Sequence, residues 1–229
     1  MNTIHPSAII GPNVTMGEGN TIGPFAVLAG TIQLGNHNWI GSGVKLGVPP
    51  EVRSFGHDED WLELPEGAGL VIGDSNVIRE DAQIHSGWHA ATRVGNDTFL
   101  MNQVYVAHDC DLRNGVTLAS GVAIGGHSRI GRGANLGLGT TVHQRRVIGA
   151  LAMVGMSSVV TKDIPPFVKA YGSPCRVHGI NAVGMDRAGL SEAVVDRAGA
   201  ALAAAALLDA FDSTDAAYAD IEWFRQATA

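Results

Sequence analysis

Three histidines occupy related positions of a repeating segment and are the strongest candidates for chemistry in this sequence. His108, His127 and His143 fall in segments whose starting points lie 18 residues apart, with Asp109 and Gln144 beside them. An imidazole gains or loses a proton near neutral pH, and a neighbouring carboxylate can orient the ring and stabilise its charged form. The group predicts acid–base catalysis; a polar face or a structural ladder that collects histidines is the alternative.

The other histidines fall into two classes. His85, like His143, stands where most repeats carry Gly or Ala, and a repeat that departs from its own pattern usually does so for a function. The rest need no special role on sequence grounds; they are His5, His37, His57, His89 and His178.

The element that must position these side chains is a repeat of six residues. Counting in sixes from Ile4, with two interruptions, gives 23 positions that are all aliphatic or Met, and Gly or Ala follows 16 of them. This period suits a short strand followed by a corner, three times per turn of a triangular prism. The aliphatic residues point inward and stack from coil to coil, while the small residues ease the corners. We predict an all-β solenoid, a parallel β-helix of hexapeptide repeats.

Two loops interrupt the repeat. Residues 48–71 contain Pro49-Pro50 and an acidic run at Asp58, Glu59 and Asp60, and residues 86–93 form a shorter excursion. Long loops that leave a rigid scaffold commonly carry function, although a tolerated surface insertion is the alternative for the first.

The repeat gives way to a different pattern near residue 170. Two prolines, Pro165 and Pro166, cannot continue a strand ladder and are expected to end the prism. The predicted organisation is a β-helix over 1–170 and a connector with C-terminal helices over 171–229. Ser191 can cap a helix that ends near Asp209, and a shorter amphipathic helix holds Tyr218, Ile221, Trp223 and Phe224.

Composition narrows the functional classes. The net charge is −7 and no basic cluster is longer than Arg145-Arg146, which argues against nucleic acid or an anionic membrane as a partner. The most apolar run, near Ala198 to Leu208, is too short for an integral membrane segment. Two cysteines, Cys110 and Cys175, favour reduced thiols in a cytoplasmic protein.

Beyond the repeat, the sequence resembles the UDP-N-acetylglucosamine acyltransferases that begin lipid A synthesis, over residues 1 to about 192. The resemblance rests on these stretches: Phe99-Leu-Met-Asn-Gln-Val-Tyr-Val-Ala-His-Asp-Cys110, Ala123-Ile-Gly-Gly-His127, Thr141-Val-His-Gln144, Asp163-Ile-Pro-Pro-Phe167, Gly179-Ile-Asn181 and Gly184-Met-Asp-Arg187. It implies a left-handed β-helix, a homotrimer, and transfer of an acyl chain, normally 3-hydroxylated, from acyl carrier protein to the glucosamine 3-hydroxyl.

The resemblance also implies a role for each matching residue. His108 is the expected general base, Asp109 its orienting partner, and the N–H of Gly126 the expected oxyanion donor. The expected substrate-binding residues are His85, His127, His143, Gln144, Asn181, Arg187, and Glu51 with Arg53 for an acidic–basic pair in the first loop. Met156 matches the place where a bulky side chain shortens the acyl groove, so medium or short chains are expected. Neither a metal nor a cofactor is expected besides the donor, an acyl carrier protein thioester or acyl-CoA.

Departures from the family pattern leave other functions open. Tyr105 stands in place of a histidine, Val183 in place of a nucleotide-contacting Glu, and Gly172-Ser-Pro-Cys-Arg-Val177 is similar to the end of acetyl-CoA-dependent hexapeptide enzymes. The acceptor could therefore be another nucleotide-linked sugar, acylated on oxygen or nitrogen. A zinc hydrolyase similar to β-helical carbonic anhydrases is a further alternative, but no two histidines here have the five-residue spacing of its ligands.

Overall fold

The computed structural model describes residues 1–56, 60–64 and 67–229. Very short strands separated by four-residue turns build three sheets, which form the three faces of a triangular prism. The first sheet contains β1 (Thr3–Ile4), β4 (Thr21–Ile22), β7 (Trp39–Ile40), β10 (Val77–Ile78), β13 (Phe99–Leu100), β16 (Thr117–Leu118), β19 (Asn135–Leu136), β22 (Met153–Val154), β24 (Val168–Tyr171) and β25 (Arg176–Ile180). The second contains β2 (Ile9–Ile10), β5 (Val27–Leu28), β8 (Lys45–Val48), β11 (Gln83–His85), β14 (Tyr105–Val106), β17 (Ala123–Ile124), β20 (Thr141–Val142) and β23 (Val159–Val160). The third contains β3 (Val14–Met16), β6 (Ile32–Leu34), β9 (Leu70–Ile72), β12 (Thr92–Val94), β15 (Asp111–Leu112), β18 (Arg129–Ile130) and β21 (Val147–Ile148).

Each coil contributes one strand to each sheet, and neighbouring coils pair in parallel, with a shift of register between β8 and β11 at Ile84 and His85, beside the excursions. In the second sheet, for example, Tyr105 pairs with Ala123 and Ala123 with Thr141. Of the 23 hexad positions, only the first three keep substantial exposure, because Ile4, Ile10 and Met16 lie at the open end of the stack. The predicted parallel β-helix of hexapeptide repeats is confirmed.

The prism has three edges, which we name by the sheets that they join. Edge I joins the first sheet to the second, edge II the second to the third, and edge III the third back to the first. Because the repeat is regular, residues 18 apart on one edge lie directly above one another, except where an excursion intervenes.

Both interruptions of the repeat leave the prism at edge II. The first excursion follows β8 and the second follows β11, and they meet in an antiparallel bridge between Gly69 and Gly87. Within the first excursion, Asp58 and Glu59 of the predicted acidic run lie outside the described residues. The excursions therefore flank the edge that carries the candidate histidines.

The stack continues past the two prolines, contrary to expectation. Ile164 bridges Ile148, and β24 pairs in parallel with β22 before β25 turns back antiparallel to it. Pro165 and Pro166 fall in the connection between these pairings, where no ladder N–H is required.

The C-terminal part is helical but differs in detail from the prediction. The helices are α1 (Ala182–Arg187), α2 (Glu192–Ala203) and α3 (Tyr218–Thr228), with a 3-10 turn at Leu207–Asp209. Helix α1 was not predicted. The helix that was expected to end near Asp209 ends at Ala203, and Ala205 beyond it has a positive φ of 56°, which is incompatible with a continuing α-helix. Ser191 begins α2, but its side chain makes no capping bond.

Helix α3 packs on the prism of its own chain. It contacts β21, and Arg132 of the prism donates to both carboxylate oxygens of Asp220 at 2.7 and 2.6 Å. No helix in the described ranges has the length and apolar character needed to cross a bilayer.

Candidate active site

The repeat places the candidate residues in three successive turns of edge II, above one another. His108, Gly126 and Gln144 are the second residues of these turns, and Asp109 and His127 are third residues. The third residue of each turn has a positive φ, 59° at both Asp109 and His127. Asp and His are among the non-glycine residues that best tolerate this conformation.

His108 and Asp109 form a tightly bonded pair. His108 Nδ1 lies 2.6 Å from Asp109 Oδ2, and the Asp109 side chain is only 1% exposed. The carboxylate also accepts backbone N–H bonds from Trp88, His89 and Ala90, at 3.3, 2.8 and 2.5 Å. Burial raises the pKa of Asp109, but the His108 bond and these N–H groups outweigh it and hold the pKa below its usual value. An ionised Asp109 fixes the proton of His108 on Nδ1.

The other nitrogen of His108 faces Gly126 in the next coil. A side chain at Gly126 would place its Cβ 2.8 Å from His108 Nε2, so only glycine leaves the ring its position. The backbone N–H of Gly126 has no acceptor within the described ranges. A basic nitrogen and an uncommitted N–H donor thus face the same space, which suits proton abstraction beside a developing oxyanion.

His127 lies against this pair, together with a histidine that sequence reasoning passed over. The rings of His127 and His108 meet edge to face at 5.0 Å, and burial is the main cause that lowers the pKa of His127. His89 is stacked on Trp88 at 4.2 Å and faces His127 at 6.2 Å. The available signal was topological, since an excursion that follows the second sheet must return along edge II.

His143 and Gln144 occupy the next coil of the same edge. Both are exposed, and His143 Nδ1 lies 3.1 Å from the Gln144 carbonyl oxygen. The structure therefore brings His108, Asp109 and His127 into contact, and His143 and Gln144 lie in the coil above them with exposed side chains.

The two residues predicted in the first loop, Glu51 and Arg53, have different surroundings. Glu51 Oε1 lies 3.1 Å from His85 Nε2, without the alignment of a hydrogen bond, while His85 Nδ1 lies 2.7 Å from the Pro49 carbonyl. Tyr105 packs against His85 with ring centres 5.3 Å apart, and burial, with Glu51 adding to it, raises the pKa of the phenol. Arg53 is exposed.

Three predicted residues lie away from the His108 pair within one chain. Met156 is on edge I and 70% exposed, directly above Leu138, which is also exposed. Asn181 caps α1, accepting from the Gly184 N–H at 3.2 Å and donating to the Leu151 carbonyl at 2.8 Å. Arg187 ends α1, with its side chain exposed and unpaired in the described part of the chain.

His108, Asp109 and His127 are also close enough to share a metal ion, since their ligand atoms lie within 4.8 Å of one another. However, both Asp109 oxygens already accept hydrogen bonds, and one of the His108 nitrogens is bonded to this carboxylate. The geometry therefore favours the paired arrangement, and metal analysis of the purified protein is the direct check.

Comparisons with known proteins agree with this geometry. The family model "Udp N-acetylglucosamine O-acyltransferase; Domain 2" matches residues 163–208. The acyl-[acyl-carrier-protein]--UDP-N-acetylglucosamine O-acyltransferase of Aliivibrio fischeri (strain MJ11) is 38% identical over 133 residues, 57% of this chain and 51% of the relative. The chain thus spans about half the length of the curated relatives that it matches.

Solved structures match over more of the chain. The UDP-N-acetylglucosamine O-acyltransferase of Moraxella catarrhalis RH4 is 32% identical with a TM-score of 0.69, covering 87% of this chain and 82% of that one. The UDP-N-acetylglucosamine acyltransferase from Campylobacter jejuni is 28% identical with a TM-score of 0.76, covering 88% and 81%. The predicted fold class, a left-handed parallel β-helix with a short helical C-terminal part, is confirmed.

Proposed function

This chain belongs to the family of UDP-N-acetylglucosamine O-acyltransferases, and from that premise we propose that it transfers an acyl chain from acyl carrier protein to the 3-hydroxyl of UDP-N-acetylglucosamine. The observation that carries the proposal is the His108–Asp109 pair, in which the carboxylate is nearly inaccessible and the second His108 nitrogen faces the Gly126 N–H, which has no acceptor in the described ranges.

The residues of edge II can perform direct transfer without a covalent enzyme intermediate. His108 Nε2 accepts the proton of the acceptor hydroxyl while the hydroxyl oxygen bonds to the thioester carbonyl carbon. Asp109 stabilises the imidazolium that forms. The Gly126 N–H donates to the oxyanion of the tetrahedral intermediate. Collapse breaks the carbon–sulfur bond, and His108 returns its proton to the thiolate of the carrier.

The remaining predicted residues would bind the substrates. His85, His127, His143 and Gln144 line the second sheet and edge II, where they can hold sugar and acyl groups. Glu51 brings a carboxylate from the first excursion to His85, and Arg53 on the same excursion is exposed and available to a substrate.

A homotrimer would complete this site. Asn181, Arg187 and Met156 lie away from the His108 pair of their own chain, so they can serve it only from a neighbouring subunit. In that arrangement the Arg187 guanidinium binds the nucleotide diphosphate. Met156 and Leu138 on edge I of one subunit close the acyl groove along edge II of the next.

The donor supplies all the reactive groups that the chain lacks, so no further cofactor is required. We propose a 3-hydroxyacyl chain of medium or short length, with acyl carrier protein as the donor partner. The cytoplasm is the proposed location, because Cys110 and Cys175 are free and buried, as suits a reducing compartment.

The test is a product analysis. The purified protein is incubated with acyl carrier protein thioesters and acyl-CoA, each combined with UDP-N-acetylglucosamine or an amino-sugar analogue, and products are identified by mass spectrometry. The proposal expects an ester of UDP-N-acetylglucosamine that forms with acyl carrier protein and fails to form with His108→Ala. An amide as the preferred product would replace it with N-acylation of another nucleotide-linked sugar. No acyl transfer in any combination would reject the proposal.

A further inference from the structure

The segment Gly87–Thr92, which we call the hook, wraps around Asp109 and supplies most of its hydrogen bonds. Three of its backbone N–H groups donate to the carboxylate, as described above. In return, the Asp109 N–H donates to Thr92 Oγ1 at 2.9 Å. Thr92 is fully buried, so no solvent can replace this acceptor.

These bonds determine where Asp109 can be. Its nearly inaccessible carboxylate needs hydrogen-bond donors to remain ionised. Apart from His108, every hydrogen-bond donor to this carboxylate in the described structure belongs to the hook.

The hook is itself rigidly held. Gly87 and Thr92 both donate their backbone N–H to the Gly69 carbonyl, at 2.9 and 3.1 Å. A side chain at Gly87 would place its Cβ 1.8 Å from the Ala90 carbonyl oxygen, so the tight turn requires glycine. The end of the first excursion, the hook and Asp109 therefore form one hydrogen-bonded unit.

We propose that the hook is a positioning element of the active site, in which Thr92 and the turn at Gly87 hold Asp109, and through it the catalytic base His108. The inference rests on the proposed function. Thr92 acts through Asp109, whose backbone N–H donates to its hydroxyl oxygen.

The main test compares three substitutions at buried threonines. Thr92→Val keeps the shape and removes the acceptor, whereas Thr92→Ser keeps the hydroxyl. Thr98→Val is the matched control, since Thr98 is equally buried and hydrogen-bonded but lies on edge III. Thr92→Val is expected to lower kcat about tenfold or more, with KM for both substrates within about twofold, because misplacing a catalytic group affects the transition state most. Thr92→Ser and Thr98→Val should keep kcat within about threefold of wild type.

A second readout does not depend on turnover. The short His108–Asp109 hydrogen bond should give a low-field proton resonance in the wild-type protein, absent in His108→Ala. Thr92→Val should shift or broaden this resonance, and Thr98→Val should leave it unchanged. Gly87→Ala keeps the Thr92 hydroxyl but places a methyl against the Ala90 carbonyl oxygen and the Thr92 backbone nitrogen, so the turn must move. It should act in the same direction as Thr92→Val.

The outcomes separate the two proposals. If His108→Ala keeps turnover, the proposed function fails whatever the resonance shows. If His108→Ala is inactive while Thr92→Val and Gly87→Ala keep both kcat and the resonance of wild type, the hook does not position the base. An equal loss of kcat in Thr98→Val would show that general destabilisation explains the effect, which also overturns the inference.

Discussion

Edges II and III of the prism are built from the same four-residue turn, yet side-chain hydrogen bonds join the first five turns of edge III, whereas the turns of edge II that carry the histidines leave polar groups open. In four consecutive turns of edge III, the second residue donates its N–H to a side chain in the next coil; the four bonds are Glu18 to Asn36, Asn36 to Asp74, Asp74 to Asn96 and Asn96 to Asn114. The last three turns of this edge, at Asn114, Arg132 and Ala150, lack such a bond in the described ranges. On edge II, the corresponding N–H groups of His108, Gly126 and Gln144 have no acceptor in the part of the chain that the structure describes.

A second, inner ladder makes the contrast stronger. On edge III, Asn20, Asn38, Asn76 and Thr98 are almost completely buried, and each amide oxygen accepts two bonds from the next residue of the ladder. Polar groups satisfied in this way stabilise the stack and leave nothing to react. Edge II keeps a nitrogen and an N–H group free, which is what a substrate needs. Stability and chemistry are thus assigned to different edges of one repeat.

The largest expected effect tests the open edge. His108→Ala should lower kcat by about 10² to 10⁴, the usual contribution of a general base, with substrate KM little changed. Steady-state kinetics with both substrates varied gives the two parameters. Near wild-type turnover in this variant would mean that edge II is not the catalytic edge.

Gly126→Ala tests the geometry of the same edge without removing a functional group. The added methyl would meet His108 Nε2 at 2.8 Å, so the ring must move. A displacement on the order of 1 Å can cost about 10² in rate, and we expect a loss of that size. Gly121→Ala is not a suitable control because of its positive φ, whereas Gly199→Ala places a methyl in open space on α2. Equal kinetics for Gly126→Ala and wild type would contradict the catalytic placement of His108 Nε2 against Gly126.

Some features of these edges can be predicted from the sequence and others cannot, and the difference has a physical reason. The hexad count gives the core, the three sheets and the stacking of His108, Gly126 and His127, because these depend only on a period of six. The adjacent His108 and Asp109 were identifiable for the same reason. The path of the hook, and hence the place of His89, was not, since it depends on backbone bonds to Gly69 and Asp109 that no periodicity encodes.

Asn38→Ala tests the closed edge. It removes the acceptor for the Asn76 N–H and amide group in a buried site. Each unsatisfied buried donor costs about 1–3 kcal/mol, so we expect a loss of about 2–5 kcal/mol in the free energy of unfolding. Asn13→Ala, which removes an exposed side-chain bond, should have a much smaller effect. Urea unfolding measures the change in both variants, and kcat should stay near wild type in each. A large loss of kcat in Asn38→Ala at an unchanged free energy of unfolding would contradict the assignment of stability to edge III and chemistry to edge II.

Arg187→Ala tests whether Arg187 binds the sugar nucleotide at the site on edge II. A guanidinium aimed at a diphosphate contributes similar binding in the ground and transition states, so KM for the sugar nucleotide should rise about tenfold or more while kcat changes less. KM for the acyl donor should stay close to wild type. Arg176→Ala serves as a matched control, because Arg176 is another exposed arginine of the C-terminal part. Equal effects on both substrates would make Arg187 a structural residue of α1.

The smallest effect concerns edge I, which is neither closed by a polar ladder nor furnished with catalytic groups. Met156 and Leu138 lie above one another there and expose apolar side chains.

A Met side chain would fill the space of about three or four methylenes, and each buried CH₂ contributes about 0.8 kcal/mol. Forcing a longer chain into a filled groove adds steric cost to that lost burial. The wild type should therefore prefer acyl chains of medium length or shorter over tetradecanoyl-length ones, and Met156→Gly should move the optimum upward. The reading of Met156 as a core filler conflicts with its exposure, so the alternative is a surface side chain without a role in length selection. Measuring kcat/KM over a series of acyl donors decides between the two. Leu138→Ala is the companion variant, expected to broaden the groove one coil below, and an unchanged length profile in Met156→Gly would remove edge I from substrate selection.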